Sequence, residues 1–214
     1  MQHVAVIDYG MGNLRSVSKA LENVASNDVA VEVTADPARI LAASHVVFPG
    51  VGAIRDCISE LQRLELDHVV REVAEKKPFL GVCLGMQALL SHSEENGGID
   101  SLDIVPGNVQ HFDIANNVNG ERLKVPHMGW NKVNQTISHP LWNNIEQDSR
   151  FYFVHSYFVN PAESNVTAAT TEYPDNFTSA IHKDNVFAVQ FHPEKSQHVG
   201  LQLLKNFLSW DGQS

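Results

Sequence analysis

Residues 81–87 place a cysteine in a turn that is flanked by glycines. They read Gly-Val-Cys-Leu-Gly-Met-Gln and overlap the end of the apolar run 77–82. The sequence therefore predicts a strand, a sharp turn at Cys83 and then a helix. Gly81 and Gly85 leave room for neighbouring backbone at such a turn. A helix N-terminus favours the thiolate, which is the reactive form of cysteine. Cys83 is therefore a candidate nucleophile, and a buried structural cysteine is the alternative interpretation.

A second segment supplies a candidate base for this nucleophile. Residues 190–194 read Gln-Phe-His-Pro-Glu and overlap the end of the predicted strand 185–192. Pro193 stiffens the backbone between His192 and Glu194, so the carboxylate can reach back to the ring. His192 would hold the thiol proton and later give one to a leaving group, while Glu194 selects the tautomer. This context distinguishes His192 from the other members of a set of 11 histidines.

The loop after the third predicted strand offers backbone donors for an oxyanion. Residues 49–52 read Pro-Gly-Val-Gly, and glycines expose their N–H groups. The residue after a nucleophile at an elbow commonly contributes a further N–H group. The candidate donors are the backbone N–H groups of Gly50, Val51, Gly52 and Leu84. A simple turn between a strand and a helix is the alternative interpretation of this loop.

The first half of the chain alternates strand-like and helix-like segments. Strands are predicted at 3–7, 30–34, 45–48 and 77–82, with amphipathic helices between them. Such alternation predicts a parallel sheet with helices on both faces. Ligands bind at the carboxyl ends of the strands in this architecture, so the three motifs are expected to be neighbours.

The pattern changes from about residue 107 onward. Short strands separated by Asn-rich and Gly-containing turns, such as 116–120, predict an antiparallel extension of the sheet. The predicted strands of this part are 108–112, 123–125, 130–133, 150–159, 165–171, 179–183 and 185–192. A closing helix follows, with apolar residues from Val199 to Leu208.

Composition limits the classes of partner and of site. The chain has 15 Lys and Arg against 25 Asp and Glu, a net charge of -10, which argues against nucleic acid and anionic membrane as main partners. Its 214 residues, 43% of them hydrophobic, fit one domain over 1–214. Two cysteines, with Cys57 expected to be structural, favour a reducing cytoplasm. No export signal, membrane span, metal or cofactor is expected.

The motifs at 81–87, 49–52 and 191–194 together resemble those of class I (triad) glutamine amidotransferases. Residues 7–14 and 126–131 narrow the resemblance to the HisH-type glutaminase subunit of imidazole glycerol phosphate synthase. The resemblance implies a flavodoxin-like α/β fold with a mostly parallel central sheet flanked by helices and an antiparallel strand extension in the second half. It covers essentially the whole chain.

The resemblance also implies a reaction and a partner. Cys83, His192 and Glu194 would form a triad that hydrolyses glutamine to glutamate and ammonia through a cysteine thioester. The ammonia would pass to a cyclase subunit of the HisF type, a (β/α)8 barrel, in a heterodimer. That subunit converts PRFAR to imidazole glycerol phosphate and AICAR in histidine biosynthesis.

Individual residues are assigned by the same resemblance. Glutamine is expected to contact the side chains of Gln87 and Glu95, with Glu94 as the alternative to Glu95, and the backbone of Ser156 and Tyr157. The residues expected at the partner interface are Asn13, His127, Met128, Trp130, Asn131, Tyr152 and Lys195.

Other functions are compatible with part of this pattern. The chain could serve another synthase, such as that of pyridoxal phosphate, anthranilate, carbamoyl phosphate or GMP, although residues 126–131 argue against these. A γ-glutamyl hydrolase or cysteine peptidase on a related fold is a second alternative. A non-catalytic regulatory module is the weakest one, because every triad position is filled.

Overall fold

A central sheet of 12 strands organises residues 2–112 and 124–213, the part of the chain that the computed structural model describes. Strands and helices alternate through the first part, as the sequence predicts. The elements there are β1 (Gln2–Ile7), α1 (Leu14–Val24), β2 (Val29–Thr34), α2 (Pro37–Ala42), β3 (His45–Gly50), α3 (Ile54–Arg63), α4 (Asp67–Lys76), β4 (Phe79–Cys83) and α5 (Leu84–Gln87).

Short strands dominate the second part. They are β5 (Leu90–Ser93), β6 (Ile99–Asp100), β7 (Val105–His111), β8 (His127–Lys132), β9 (Asn134–Gln135), β10 (Arg150–His155), β11 (Tyr157–Pro161), β12 (Thr167–Glu172), β13 (Asn176–Lys183) and β14 (Val186–Val189). The last element is helix α6 (Gln197–Ser209). In the described part of the chain no helix is long and apolar enough to cross a membrane.

The strand order of the sheet is β2-β1-β3-β4-β14-β13-β11-β7-β5-β6; in addition, β12 pairs with β13, and β9 pairs with β12. The first five strands of this order are parallel, and β13, β11 and β7 continue the sheet with antiparallel pairing. Strands β8 and β10 form a separate antiparallel pair. The predicted mostly parallel sheet with an antiparallel extension is confirmed.

Two hydrophobic clusters cover the two faces of the sheet. Strand β1 shows why, because alternate side chains enter different clusters: Ala5 and Ile7 join one, and Val4 and Val6 the other. Helices α2, α3 and α4 contribute to the first cluster, whereas α1 and α6 contribute to the second. The site therefore rests on strands that are buried on both sides.

Some elements differ from the sequence-based predictions. The helix after Cys83 is only four residues long, and Leu90 starts strand β5 because pairing with β7 overrides the helix propensity of this apolar run. The segment 150–159 forms two strands rather than one, and β14 joins the two parts of the sheet, parallel to β4 and antiparallel to β13. The predicted turn 116–120 and the first residue of predicted strand 123–125 lie outside the described residues, and Lys124 and Val125 are not part of a strand. The single domain over 1–214 stays a prediction.

Candidate active site

Cys83 occupies a strained turn between β4 and α5. Its backbone has φ 55° and ψ −109°, a left-handed region that costs a non-glycine residue about 1–3 kcal/mol. A side chain at Gly85 would overlap the carbonyl oxygen of Phe48, and a Cβ at Gly81 would lie 2.9 Å from the Cβ of Ala188. The predicted sharp turn and its need for flanking glycines are thus confirmed.

His192 and Glu194 form a buried pair. The ring Nδ1 lies 2.9 Å from Oε1 of Glu194, and the two side chains are 2% and 1% exposed. Glu194 sits in a single helical turn, Pro193–Lys195, directly after His192. The backbone N–H of His192 donates to the carbonyl oxygen of Tyr152 at 2.9 Å, which fixes the histidine against β10. Sequence proximity and this anchor together orient the ring.

The charges around His192 favour its protonated form. Burial lowers the pKa of the ring, but the negative charges of Cys83 and Glu194 outweigh that effect and raise the pKa to about 10. Within the described part of the chain, His192 Nε2 is buried and has no hydrogen-bond partner within reach. Besides Glu194, Cys83 is the group whose charge and hydrogen bonding act on this ring. The arrangement can hold a thiolate beside an imidazolium and deliver a proton.

A cavity of about 330 Å³ opens beside Cys83. It brings together residues that are far apart in the sequence and that we singled out there. Those that line it are Val51, Gly52, Cys83, Leu84, Gln87, Glu95, Ser156, Tyr157 and His192, and its wall also contains Pro126, Val154 and His155. Gly50 and Glu194 are not in the lining. Gly50 pairs with Cys83 in the sheet, and Glu194 lies behind His192.

The glycine-containing loop is held from below by Tyr9. The hydroxyl of Tyr9 donates to the carbonyl oxygen of Pro49 at 3.0 Å, and it fills the space that a side chain at Gly50 would need. Gly52 has φ +99°, which favours glycine. No role for Tyr9 was predicted from the sequence. Its position two residues beyond β1, at the carboxyl edge of the sheet, was the available signal.

Two buried glutamines connect the cavity wall to the candidate nucleophile through hydrogen bonds. Gln87 Nε2 donates to the carbonyl oxygen of Tyr157 and to Oε1 of Gln190, both at 3.0 Å. Gln190 Nε2 in turn donates to Cys83 Sγ at 3.7 Å. Gln87 was among the predicted residues, whereas Gln190 was missed. The signal for Gln190 was the two-residue spacing that sets it on the same strand face as His192.

The structure separates the two acidic candidates for binding an ammonium group. Glu95 lines the cavity, and its Oε2 accepts a hydrogen bond from the backbone N–H of Ile54 at 2.9 Å, at the start of α3. Glu94 is exposed and accepts instead from the backbone N–H of His111. Only Glu95 therefore faces the space beside Cys83.

An exposed apolar face adjoins the cavity on strands β8 and β10. Met128 is 62% and Trp130 is 40% exposed, which is unusual for such large side chains. Trp130 packs edge-on against Tyr152 with 6.1 Å between ring centroids, and Lys195 Nζ lies 5.8 Å from the Tyr152 ring centroid. These four residues form one surface, which we call the aromatic face.

Three residues expected at the interface do not belong to the aromatic face. Strand alternation turns His127 inward, where it is 3% exposed and stacks on Tyr173 with a centroid distance of 3.9 Å. Asn131 lies on the same inner side and donates to the carbonyl oxygen of Glu172 at 3.0 Å. Asn13, at the start of α1, is half-buried.

Cys57 is fully buried in α3, where burial raises the pKa of its thiol to about 12. This environment disfavours the thiolate and supports the structural role expected from the sequence.

Comparisons with known proteins identify the family to which this site belongs. Residues 5–210 match the family model of class-I glutamine amidotransferases. Among solved structures, PurLQS from Thermotoga maritima has a TM-score of 0.70 at 16% identity, covering 97% of this chain and 98% of that chain. The likeness in structure shows that the fold is shared.

Sequence relatives narrow the assignment. The chain is 61% identical over 214 residues to the imidazole glycerol phosphate synthase subunit HisH of Nitrosococcus oceani, with 100% of both chains covered. It is 56% identical over 213 residues to the HisH subunit of Pseudomonas putida, again with 100% of both covered. The chain therefore belongs to the class-I glutamine amidotransferase family and, within it, to the HisH subunits of imidazole glycerol phosphate synthase.

Proposed function

We propose that this chain is a glutaminase subunit that releases ammonia from glutamine for a synthase partner. The observation that carries the proposal is the meeting of Cys83 and the buried His192–Glu194 pair at one cavity. A reactive cysteine needs a base, and the base needs an orienting group. Membership of the HisH family supports imidazole glycerol phosphate synthase as the complex in which the chain works.

The first half of the reaction forms a thioester. The Cys83 thiolate attacks the side-chain amide carbon of glutamine, and the carbonyl electron pair moves to oxygen, where the backbone N–H groups of Leu84, Val51 and Gly52 stabilise it. The tetrahedral intermediate collapses as the C–N bond breaks. Protonated His192 gives its Nε2 proton to the departing nitrogen, so ammonia leaves and a glutamyl thioester remains.

The second half of the reaction restores the cysteine. His192, now neutral, takes a proton from a water molecule as its oxygen attacks the thioester carbon. The C–S bond breaks, glutamate leaves, and Cys83 returns as a thiolate beside the protonated ring. Glu194 stabilises the imidazolium before and after the cycle, because it remains a carboxylate throughout.

Glutamine recognition is proposed for the opposite wall of the cavity. The Glu95 carboxylate suits the α-ammonium group of the substrate, and its helix-start contact with Ile54 holds it in place. Gln87 uses its amide nitrogen within the protein, which leaves its carbonyl oxygen as an acceptor for the same ammonium. The backbone N–H groups of Ser156 and Tyr157 are the proposed donors to the substrate carboxylate.

The aromatic face is the proposed docking surface for the partner. Exposed tryptophan, tyrosine and methionine are enriched in protein interfaces, and the face adjoins the cavity through Val154 and Pro126. The partner is expected to be a (β/α)8-barrel cyclase of the HisF type, which forms a heterodimer and uses the ammonia to make imidazole glycerol phosphate and AICAR from PRFAR. A cytoplasmic location remains a prediction.

Glutamine hydrolysis measured during titration with a candidate cyclase tests this proposal. We expect little turnover by the isolated chain and a large increase when the cyclase and its ligand are present. Cys83→Ala should abolish glutamine-dependent synthesis while ammonia-dependent synthesis by the complex continues. Cys57→Ala is the matched control for the loss of a thiol, because Cys57 contacts Tyr9 and does not line the cavity.

The docking surface is tested in the same titration. Trp130→Ala should weaken cyclase activation, whereas Val33→Ala, at an exposed valine on β2, should not. Loss of both glutamine- and ammonia-dependent synthesis in Cys83→Ala would contradict the proposed role of the cysteine. High turnover that no cyclase alters, or activity on peptides or folate conjugates in place of glutamine, would contradict the proposed function itself.

A further inference from the structure

Gln190 is fully buried and touches the sulfur of Cys83. Its Nε2 lies 3.7 Å from Sγ, and its relative exposure is 0%. A buried amide is costly unless its polar atoms are satisfied, so this contact has to be consistent with the remaining hydrogen bonds of the residue. Which end of the amide faces the sulfur decides its chemical effect.

The surrounding hydrogen bonds fix that orientation. The carbonyl oxygen of Tyr157 can only accept, so the amide end of Gln87 that meets it must be the nitrogen. The same nitrogen meets Gln190, which must therefore present its oxygen to Gln87. The NH₂ group of Gln190 is left pointing at Cys83. Reversing either amide would oppose two donors or two acceptors.

A pair of histidines lies on the other side of the Tyr157 carbonyl. His155 Nδ1 donates to the carbonyl oxygen of Tyr157 at 2.8 Å, so a neutral His155 must accept at Nε2. His127 Nδ1 lies 2.9 Å from that nitrogen and must donate to it. Asn131 Nδ2 then donates to His127 Nε2 at 3.2 Å. The carbonyl oxygen of Tyr157 therefore accepts from two sides, from His155 and from Gln87, and the direction from Gln87 to the sulfur starts at this acceptor.

We propose that Gln190 is a positioning residue that stabilises the Cys83 thiolate through its side-chain N–H group. The hydrogen bond from Gln87 keeps the Gln190 amide in the required orientation. The inference rests on the proposed function, because the thiolate is the nucleophile of that reaction. A donor to sulfur favours the anion over the thiol. The Tyr157 carbonyl and Gln87 keep the amide from turning its oxygen toward the anion.

Substitution of Gln190 by glutamate tests the donor directly. The Gln190→Glu side chain keeps the shape and can still accept from Gln87, but it presents an oxygen to the sulfur. The other titratable groups that act on Cys83 are His192 and Tyr9, and both are unchanged. The rate of alkylation by iodoacetamide is measured from pH 5 to 10, with Cys83→Ala giving the residual labelling of Cys57.

We expect the midpoint of the alkylation profile to rise by about one pH unit or more, and the rate below that midpoint to fall about tenfold. Gln110→Glu is the control, because it adds the same charge at a half-buried position outside the cavity. In the complex with the cyclase, kcat for glutamine should fall while KM stays within about twofold. An alkylation profile equal to that of the unsubstituted chain would overturn the proposal.

A second measurement leaves Gln190 unsubstituted. The side-chain NH₂ resonances of Gln190 are compared by NMR in the unsubstituted chain and in Cys83→Ala across the same pH range. We expect a titration of these resonances that disappears in Cys83→Ala. Resonances that are identical in both proteins would overturn the contact. The alkylation and NMR measurements use the isolated chain without the substrate glutamine or the cyclase. Their results can therefore be interpreted even if the proposed reaction does not occur.

Discussion

Two buried pairs of side chains that contain histidine have the same spacing, but their rings differ in charge state. His192 Nδ1 lies 2.9 Å from a Glu194 oxygen, and His127 Nδ1 lies 2.9 Å from a His155 nitrogen. All three rings are at most 6% exposed. The first pair faces the candidate nucleophile, whereas the second links strands β8 and β10 at the cavity wall, to which His155 contributes.

The neighbours of each ring account for the difference. Burial lowers the pKa of His127 to about 4. Burial likewise lowers that of His155 to about 3, although the Tyr157 carbonyl raises it slightly. Burial also acts on His192, but the charges of Cys83 and Glu194 reverse the outcome and raise its pKa to about 10. A buried imidazole is therefore cationic here only where an anion compensates the lost hydration.

Each charge state suits what its pair does. A protonated His192 can give a proton to a leaving group, which a neutral ring with an unprotonated Nε2 could not do. Neutral His127 and His155 each donate at one nitrogen and accept at the other, so they transmit a fixed hydrogen-bond direction without a buried charge. A change in the group beside each ring should therefore change the charge state of that ring.

Removing the charge from the first pair should have the largest effect. In Glu194→Gln the amide keeps nearly the same shape, but one of the two anions that hold His192 as a cation is gone. We expect glutamine-dependent synthesis by the complex to fall roughly 10²–10⁴-fold. The measurement is kcat with saturating glutamine. Ammonia-dependent synthesis serves as the internal control, and a loss of less than about threefold would show that the carboxylate charge is dispensable.

Local sequence was sufficient to predict the first pair. Histidine and glutamate two residues apart, joined by proline, meet in any backbone that places them at a strand end. The elbow at Cys83 was equally predictable, because its steric requirement falls on adjacent glycines. These features depend on sequence separations of a few residues. The class of fold followed from the alternation of strands and helices in the same way.

The second pair could not be predicted, because it depends on strand pairing. His127 meets His155 through the register of β8 with β10, across 28 positions of sequence. Gln87 and Gln190 are 103 positions apart and meet only because β14 inserts beside β4. The same pairing turned His127 away from the surface on which we had expected it. Side-chain alternation gives two faces to a strand, and tertiary packing decides which one is buried.

The pH dependence of stability should separate the two pairs. The folded pKa values of His127 and His155 lie below the ordinary 6.5, so the unfolded chain binds protons first as the pH falls. Their contribution to the free energy of unfolding is fully present above pH 6.5 and is lost as the pH falls toward 4. His192 has the opposite sign: its contribution is present below pH 6.5 and is lost as the pH rises toward 10.

Urea unfolding between pH 4 and 7 measures the acid-side loss, for which we expect about 3 kcal/mol from His127 alone. His127→Gln should flatten this dependence, since the new side chain can donate and accept but does not titrate there. His68→Gln, at a histidine whose side chain is 66% exposed, is the control and should leave the slope unchanged. An equal slope in His127→Gln and the unsubstituted chain would mean that His127 is not held neutral by the fold.

A carboxylate placed beside the second pair should move it toward the first. Asn131→Asp puts an oxygen anion next to His127 Nε2, where Asn131 now donates at 3.2 Å. Because this position is half-buried, solvent screens part of the charge, and we expect the pKa of His127 to rise by only about one unit. Histidine ring resonances followed by NMR titration report the change. Asn160→Asp, at an exposed site on β11, is the matched control.

The outcome bears on both histidine pairs. A rise in the pKa of His127 would show that the partner sets the charge state of a buried ring, and protonation of Nε2 would reverse the donor at that end of the chain. His155 would still have to accept from His127 Nδ1, and the orientations of Gln87 and Gln190 should persist because the Tyr157 carbonyl sets them. If instead the His127 titration matched that of Asn160→Asp, burial alone would control the second pair, and the contrast with His192 would need another cause.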